Sequence, residues 1–151
     1  DFDGSNGPAY GLLAYPEFYK VGALYSYWDE RLFSQIEAYQ GVAAEKENAS
    51  ELCDMAANLR GKLLLMHGMR DPFMHIAGLL QLVDALVRAN KNFDLVILPG
   101  GGHAITHSMQ YGLRRMWDHL VTHLQGDSPP DNFHLSSGAE LAIERMLNHE
   151  P

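Results

Sequence analysis

Three short loops of this 151-residue sequence gather the residue types that nucleophilic hydrolysis needs: Asp3-Gly-Ser-Asn-Gly7, His67-Gly-Met-Arg-Asp71 and Pro99-Gly-Gly-Gly-His103. They supply a serine, a carboxylate and an imidazole. A serine hydroxyl is a poor nucleophile until a neighbouring imidazole takes its proton, and that imidazole needs a carboxylate on its other nitrogen to fix the tautomer. Ser5, Asp71 and His103 are therefore the candidate nucleophile, orienting acid and general base. Gly4 and Gly7 flank Ser5, and Pro8 suits the first turn of a helix, so this segment can make a sharp turn that lifts a hydroxyl clear of a sheet. The N–H of Asn6 and the helix start behind it are the candidate oxyanion donors. Each residue also has a plainer reading. Asp-Gly-Ser-Asn-Gly is the composition of an ordinary polar turn, Asp71 could cap a helix ahead of Pro72, and His67 reads as a hydrogen-bonded structural histidine.

Such loops meet only if a scaffold brings them together. Lys62 to His67 (KLLLMH) and Phe93 to Leu98 (FDLVIL) are short apolar runs bounded by turn residues, the pattern of buried parallel strands. Lys20 to Leu24 (KVGAL) is a third strand, diluted by Gly22. Between the first two, Ile76, Leu79, Leu80, Val83, Leu86 and Val87 recur at helical spacing, with Gln81, Asp84 and Arg88 on the other side. Strand, helix, strand is the unit of a parallel sheet, joined by a right-handed crossover. Further helices are expected over Pro8 to Ala14, from an N-cap at Ser50 to Leu59, over Ser108 to Leu124 ending at Gly126, and over Ser136 to Leu147. The fold class is therefore α/β, with three or so parallel strands (about 20–24, 62–67 and 93–98) and flanking helices. Residues 1–126 form the body, and 127–151 hold a breaker, Asp127-Ser-Pro-Pro-Asp131, and a C-terminal helix. Each candidate loop follows, or can follow, the carboxyl end of a strand, where open α/β sheets place their ligands.

Composition removes several other functions. Nineteen acidic against eleven basic residues leave a net charge of −8, which opposes nucleic-acid binding, and no cationic cluster offsets it. No apolar run approaches the roughly 20 residues of a membrane span. The single cysteine, Cys53, forms no internal disulfide. The chain opens on Asp1 without a visible leader, so it reads as a processed product or an excerpt, soluble, with a cytoplasmic location slightly favoured. The histidine pairs His103 with His107 and His119 with His123 have the i, i+4 spacing of zinc ligands, but no HExxH glutamate or cysteine pair accompanies them. His119 and His123 are expected to be a solvated or half-buried helix face, and neither metal nor cofactor is expected. Gly100 to Gly102 lacks the Lys-Ser/Thr that follows a phosphate-binding glycine run.

The run KLLLMHGMRDPFMHIAGLLQLVDALVRANKNFDLVILPGGGH resembles the C-terminal part of the prolyl oligopeptidase family of serine peptidases, which includes the dipeptidyl peptidases. The resemblance rests on His67-Gly68 with Asp71, on Asn90-Lys91 with Phe93-Asp94, and on His103. Arg114-Arg115-x-Trp117-Asp118 resembles the family's closing helix, and Tyr15-Pro-Glu-Phe-Tyr-Lys-Val-Gly22 the segment after its nucleophile. It implies a partial α/β-hydrolase fold, whose triad order along the chain is that of Ser5, Asp71 and His103. It further implies cleavage of a small ester or peptide substrate through an acyl-enzyme, with Tyr25, Tyr27 and Trp28 at family substrate-pocket positions; the same three residues also suit a core aromatic cluster. The sequence departs from the family at Asp3 and Pro8, where it usually has glycine, at Pro72 and Phe73 after the acid, and at Ala104 after the base. The family's β-propeller and the first half of its sheet have no counterpart here. A sheet cut at its middle is expected to seek a second copy or a complementary chain along its open edge. The alternative is a non-catalytic truncated homologue that serves as an oligomeric or interaction module.

Overall fold

The computed structural model describes residues 6–26, 51–103, 109–136 and 138. Along them run α1 (Gly7–Ala14), β1 (Val21–Tyr25), α2 (Glu51–Asp54), a 3₁₀ turn (Ala56–Asn58), β2 (Lys62–Gly68), α3 (Ile76–Arg88), β3 (Asp94–Leu98) and α4 (Met109–Leu120), which continues as a π-helical turn (Val121–Gln125). The strands make one parallel sheet in the order β1-β2-β3, with Leu65 opposite both Leu24 and Leu95. Each strand lies within a residue of its predicted bounds.

The central strand explains the apolar run that announced it. Leu63 through Gly68 are all buried, because helices cover both faces. Leu63 and Leu65 join Leu12 and Leu13 of α1, Leu52 of α2 and Leu79, Leu82 and Leu86 of α3. Leu64 and Met66 point the other way, to Met116 of α4 with Tyr25 and Leu98. This alternation is the two-residue period of a strand, and helices on both faces of a parallel sheet define the α/β class. The glycine that weakens β1 as a sequence signal has a packing reason: a Cβ on Gly22 would come within 2.8 Å of Leu12 Cδ1, so α1 lies on the strand only because none is there.

Three expectations change in the structure. The segment Phe93 to Leu98 is not uniformly buried: β3 has β2 as its sole partner among the described residues, and Asp94 and Leu95 at its start are exposed. Leu80 and Val87 of α3 face outward, since the stripe that meets the core runs through Leu79, Leu82 and Leu86. The expected helix up to Leu59 breaks after Asp54 and tightens into the 3₁₀ turn, which buries Leu52, Ala56 and Leu59 together while turning the chain into β2. By contrast, the predicted stop at Gly126 is found: its φ of 77° closes α4 and its π turn. Ser50, Ser108 and the expected helix from 136 to 147 lie outside the described residues, apart from Ser136 and Gly138 at its start.

Among the described residues no strand pairs with the outer edge of β1. A cavity of about 330 Å³ beside that edge is walled largely by Tyr10, Tyr15, Tyr19, Val21, Met116 and Leu120. No helix among the described residues is long and apolar enough to cross a membrane.

Candidate active site

Two loops leave the carboxyl ends of adjacent strands and are tied together before either reaches its functional side chain. After β2, the Met69 N–H donates to the Leu98 carbonyl at 2.9 Å, and the Arg70 N–H to Gly101 at 2.8 Å. Gly68 and Gly101 make the approach possible: a Cβ on Gly68 would lie 2.5 Å from the Gly101 carbonyl carbon. The glycine run after Pro99, which has no phosphate-binding context, thus allows the His103 loop to lie on the end of β2.

This packing brings Asp71 and His103 into contact. His103 Nδ1 lies 3.0 Å from Asp71 Oδ2 and 3.2 Å from Oδ1. A carboxylate only accepts, so Nδ1 carries the proton, and Nε2 of the neutral ring keeps its lone pair. The Asp71 side chain is 1% exposed and that of His103 39%, so the acid is enclosed while the base reaches solvent. Asp71 also accepts from the Phe73 and Met74 N–H groups, both at 2.9 Å, and from the Ser26 hydroxyl at 3.0 Å. Burial pushes its carboxyl up, but the bonds from Met74, His103, Phe73 and Ser26 prevail, and it is held below the usual carboxylate range. Instead of capping α3, Asp71 closes its own turn; the N-cap is His75, whose Nδ1 accepts from the Ala77 N–H.

Supporting residues surround the pair. Ser26 follows β1 in the left-handed region, with φ of 57°, and is 2% exposed; besides its bond to Asp71, its Oγ lies 3.4 Å from the His103 carbonyl oxygen. The sequence reading missed it, since its only local signal was its place at a strand end. Tyr25, expected at a substrate pocket, is buried and donates its hydroxyl proton to the Gly102 carbonyl at 2.7 Å, which holds the His103 loop. Burial, and then the charge of Asp71, raise its pKa, with the Ser26 hydrogen bond opposing them. His67 is fully buried and Nε2 donates to the Met74 carbonyl at 2.9 Å, the structural role its position suggested. Burial lowers its pKa, against the Met74 bond and the nearby Asp71 charge. Phe73 sets its ring edge-on to His103, with centroids 5.1 Å apart.

Of the other predicted residues, Asn6 occupies the N-cap position of α1. Leu12 packs at Gly22 and at Gly61 just before β2, whereas the Pro8 carbonyl reaches only Gly22, so α1 runs back along the sheet and begins toward its carboxyl end. Ser5, Tyr27 and Trp28 lie outside the described residues.

A family model for the prolyl oligopeptidase family matches residues 13–127, beginning after the loop that carries Ser5. The inactive dipeptidyl peptidase 10 of Mus musculus is 26% identical over 102 residues, which are 63% of this chain and 13% of that protein. Dipeptidyl peptidase 4 of Porphyromonas gingivalis superposes with a TM-score of 0.59 at 25% identity, over 75% of this chain and 18% of its own. A puromycin-hydrolysing peptidase of Mycobacterium tuberculosis superposes with a TM-score of 0.67 at 18% identity, over 89% of this chain and 23% of its own. The chain thus spans less than a quarter of each of these relatives. Match, fold and strand-end loops agree: the chain belongs to the prolyl oligopeptidase family, and its sheet and helices are part of that family's α/β-hydrolase fold.

Proposed function

We propose that this chain provides the Ser-His-Asp apparatus of a serine hydrolase acting on an ester or peptide carbonyl. The observation that carries the reading is the Asp71–His103 contact: an enclosed carboxylate holds Nδ1–H of an imidazole whose Nε2 faces outward from the carboxyl edge of a parallel sheet. In the proposed reaction the Ser5 hydroxyl attacks the carbonyl carbon while His103 Nε2 takes its proton, giving a tetrahedral intermediate. The Asn6 N–H stabilises the oxyanion. The imidazolium, held by Asp71, then protonates the leaving group, and water activated by the same imidazole releases the acyl group. An oxyanion donor missing from this part of the fold lowers the rate by on the order of a hundredfold, which favours activated esters over peptides. The unpaired edge of β1 and the aromatic cavity beside it support association with a second copy or a complementary chain.

The test is covalent labelling by a fluorophosphonate. Label should sit on Ser5 and disappear in Ser5→Ala and His103→Ala; a folded protein that takes no label at Ser5 overturns the reading. One observation favours a second reading, a non-catalytic module: the mouse relative is named as inactive. Ester hydrolysis that is unchanged in Ser5→Ala would support that module and remove the serine from any catalytic role.

A further inference from the structure

At the opposite end of the sheet, the start of β3 and the end of α4 bring together Asp94, His119 and His123. We propose that these three side chains form a binding site for a divalent transition-metal ion of the zinc type. One ligand atom from each lies within 4.8 Å of the other two. His119 Nδ1 and Asp94 Oδ2 are 3.3 Å apart. Metal–ligand bonds of 2.0–2.2 Å arranged tetrahedrally put neighbouring donor atoms about 3.3 Å apart, so this spacing needs no rearrangement to accept the ion.

The hydrogen-bond arithmetic of His119 points to a cation. Its Nε2 lies 3.3 Å from the Lys62 carbonyl oxygen, which only accepts, so Nε2 carries the hydrogen. In the neutral ring Nδ1 is then a bare lone pair, and it faces a carboxylate oxygen. Two acceptors in contact require a positive charge between them. A proton would serve, but it would place an imidazolium in a side chain only 4% exposed and against a second imidazole, His123, whose ring centroid is 4.6 Å away. A metal ion serves without that cost and takes His123 as a third ligand. The Nε2–H bond to Lys62 is then the outer bond that ordinarily fixes a ligating imidazole.

The surroundings suit an ion that exchanges with solvent. Asp94 and His123 border a cavity of about 380 Å³, which leaves room for a water ligand at the fourth position. Asp118 and Asp131 line the same cavity. Of its two cations, Arg114 is held by Asp118 at 3.4 Å, and Arg115 is the other. His123 lies in the π-helical turn, an uncommon winding that recurs at functional sites. The sequence expectation of a solvated helix face saw only the i, i+4 histidines; the carboxylate comes from a strand that folding brings alongside.

Titration of the metal-free protein with zinc and, separately, cobalt tests the site. The expected result is one ion per chain at micromolar or lower metal, a cobalt visible spectrum of the tetrahedral type, and a melting temperature raised by zinc. His123→Ala and Asp94→Asn, both at positions open to solvent and checked for folding by circular dichroism, should each weaken binding at least tenfold and abolish the cobalt bands. Absence of stoichiometric binding in the wild type overturns the proposal, as does an affinity that either folded variant leaves unchanged.

Discussion

The Ser26 hydroxyl donates to Asp71 Oδ2 at 3.0 Å, the same oxygen that receives His103 Nδ1–H at 3.0 Å. A serine at the end of β1 thereby helps set the charge and position of an acid that leaves β2 to serve a base that leaves β3. Ser26→Ala removes that donor from a buried carboxylate and should cost about 1–3 kcal/mol of stability. Asp71 is held below its ordinary pKa, so its contribution to stability is complete above the unfolded value and is lost as pH falls through the folded one. Without Ser26 the folded value rises, and the acid-unfolding midpoint, followed by circular dichroism, should move to higher pH.

Asp71→Asn should leave the loop largely in place, because the side chain can still accept from the Phe73 and Met74 N–H groups. It removes the charge that holds His103 as the Nδ1–H tautomer. If the hydrolase reading holds, turnover of an activated ester should fall by on the order of 10⁴, with much less effect on substrate binding. Stopped-flow or plate kinetics that show an undiminished rate would take Asp71 out of the reaction.

His67 gives a pH dependence of the same sign. Its folded pKa is depressed, so the neutral side chain's contribution is fully present above the unfolded value of about 6.5 and is lost as pH falls through the folded value. Urea unfolding should therefore give lower stability at pH 5.5 than at pH 7.5. In His67→Gln, which keeps a donor for the Met74 carbonyl but cannot titrate, the difference between these two pH values should shrink.

Gly68→Ala places a methyl group against Gly101 and forces the two loops apart. Overpacking of this kind costs about 1–3 kcal/mol. The displacement acts directly on the Asp71–His103 contact, so the melting temperature should fall and fluorophosphonate labelling of Ser5 should fall with it. Gly100→Ala is the control: a Cβ there meets nothing within 4 Å, and both readouts should stay near wild type.

The outer edge of β1 should be covered in solution. Sedimentation analysis is expected to give the mass of at least two chains when the protein is alone. A Lys in place of Ala23, whose side chain lies beside the edge cavity, should shift the distribution toward single chains. Monomers at every concentration tested would argue against self-association along this edge.

Much of the architecture could be read before folding, because the signals were local. The run KLLLMH, the helical spacing from Ile76 to Leu86 and the stop at Gly126 each encode an element within a few residues of chain, and all three elements are found. The acid and base were legible for the same reason: His67-Gly68 with Asp71, and His103 after a glycine run, mark strand-end loops. What could not be read was set by contacts between distant segments. Nothing near Leu95 says that β3 lies at an edge, and nothing near Ser26 says that a residue 45 positions later needs its hydroxyl.

By itself, then, the sequence determined the parallel α/β layering and the identity of the acid and base, since periodicity, turn composition and residue type are properties of short stretches of chain. The tertiary structure decided that Asp71 is enclosed while His103 is not, that Tyr25 and Ser26 secure the loops, and that Asp94 faces His119. Each of these depends on which buried polar group finds which partner once the strands align, and a hydrogen bond between segments far apart in sequence leaves no local trace.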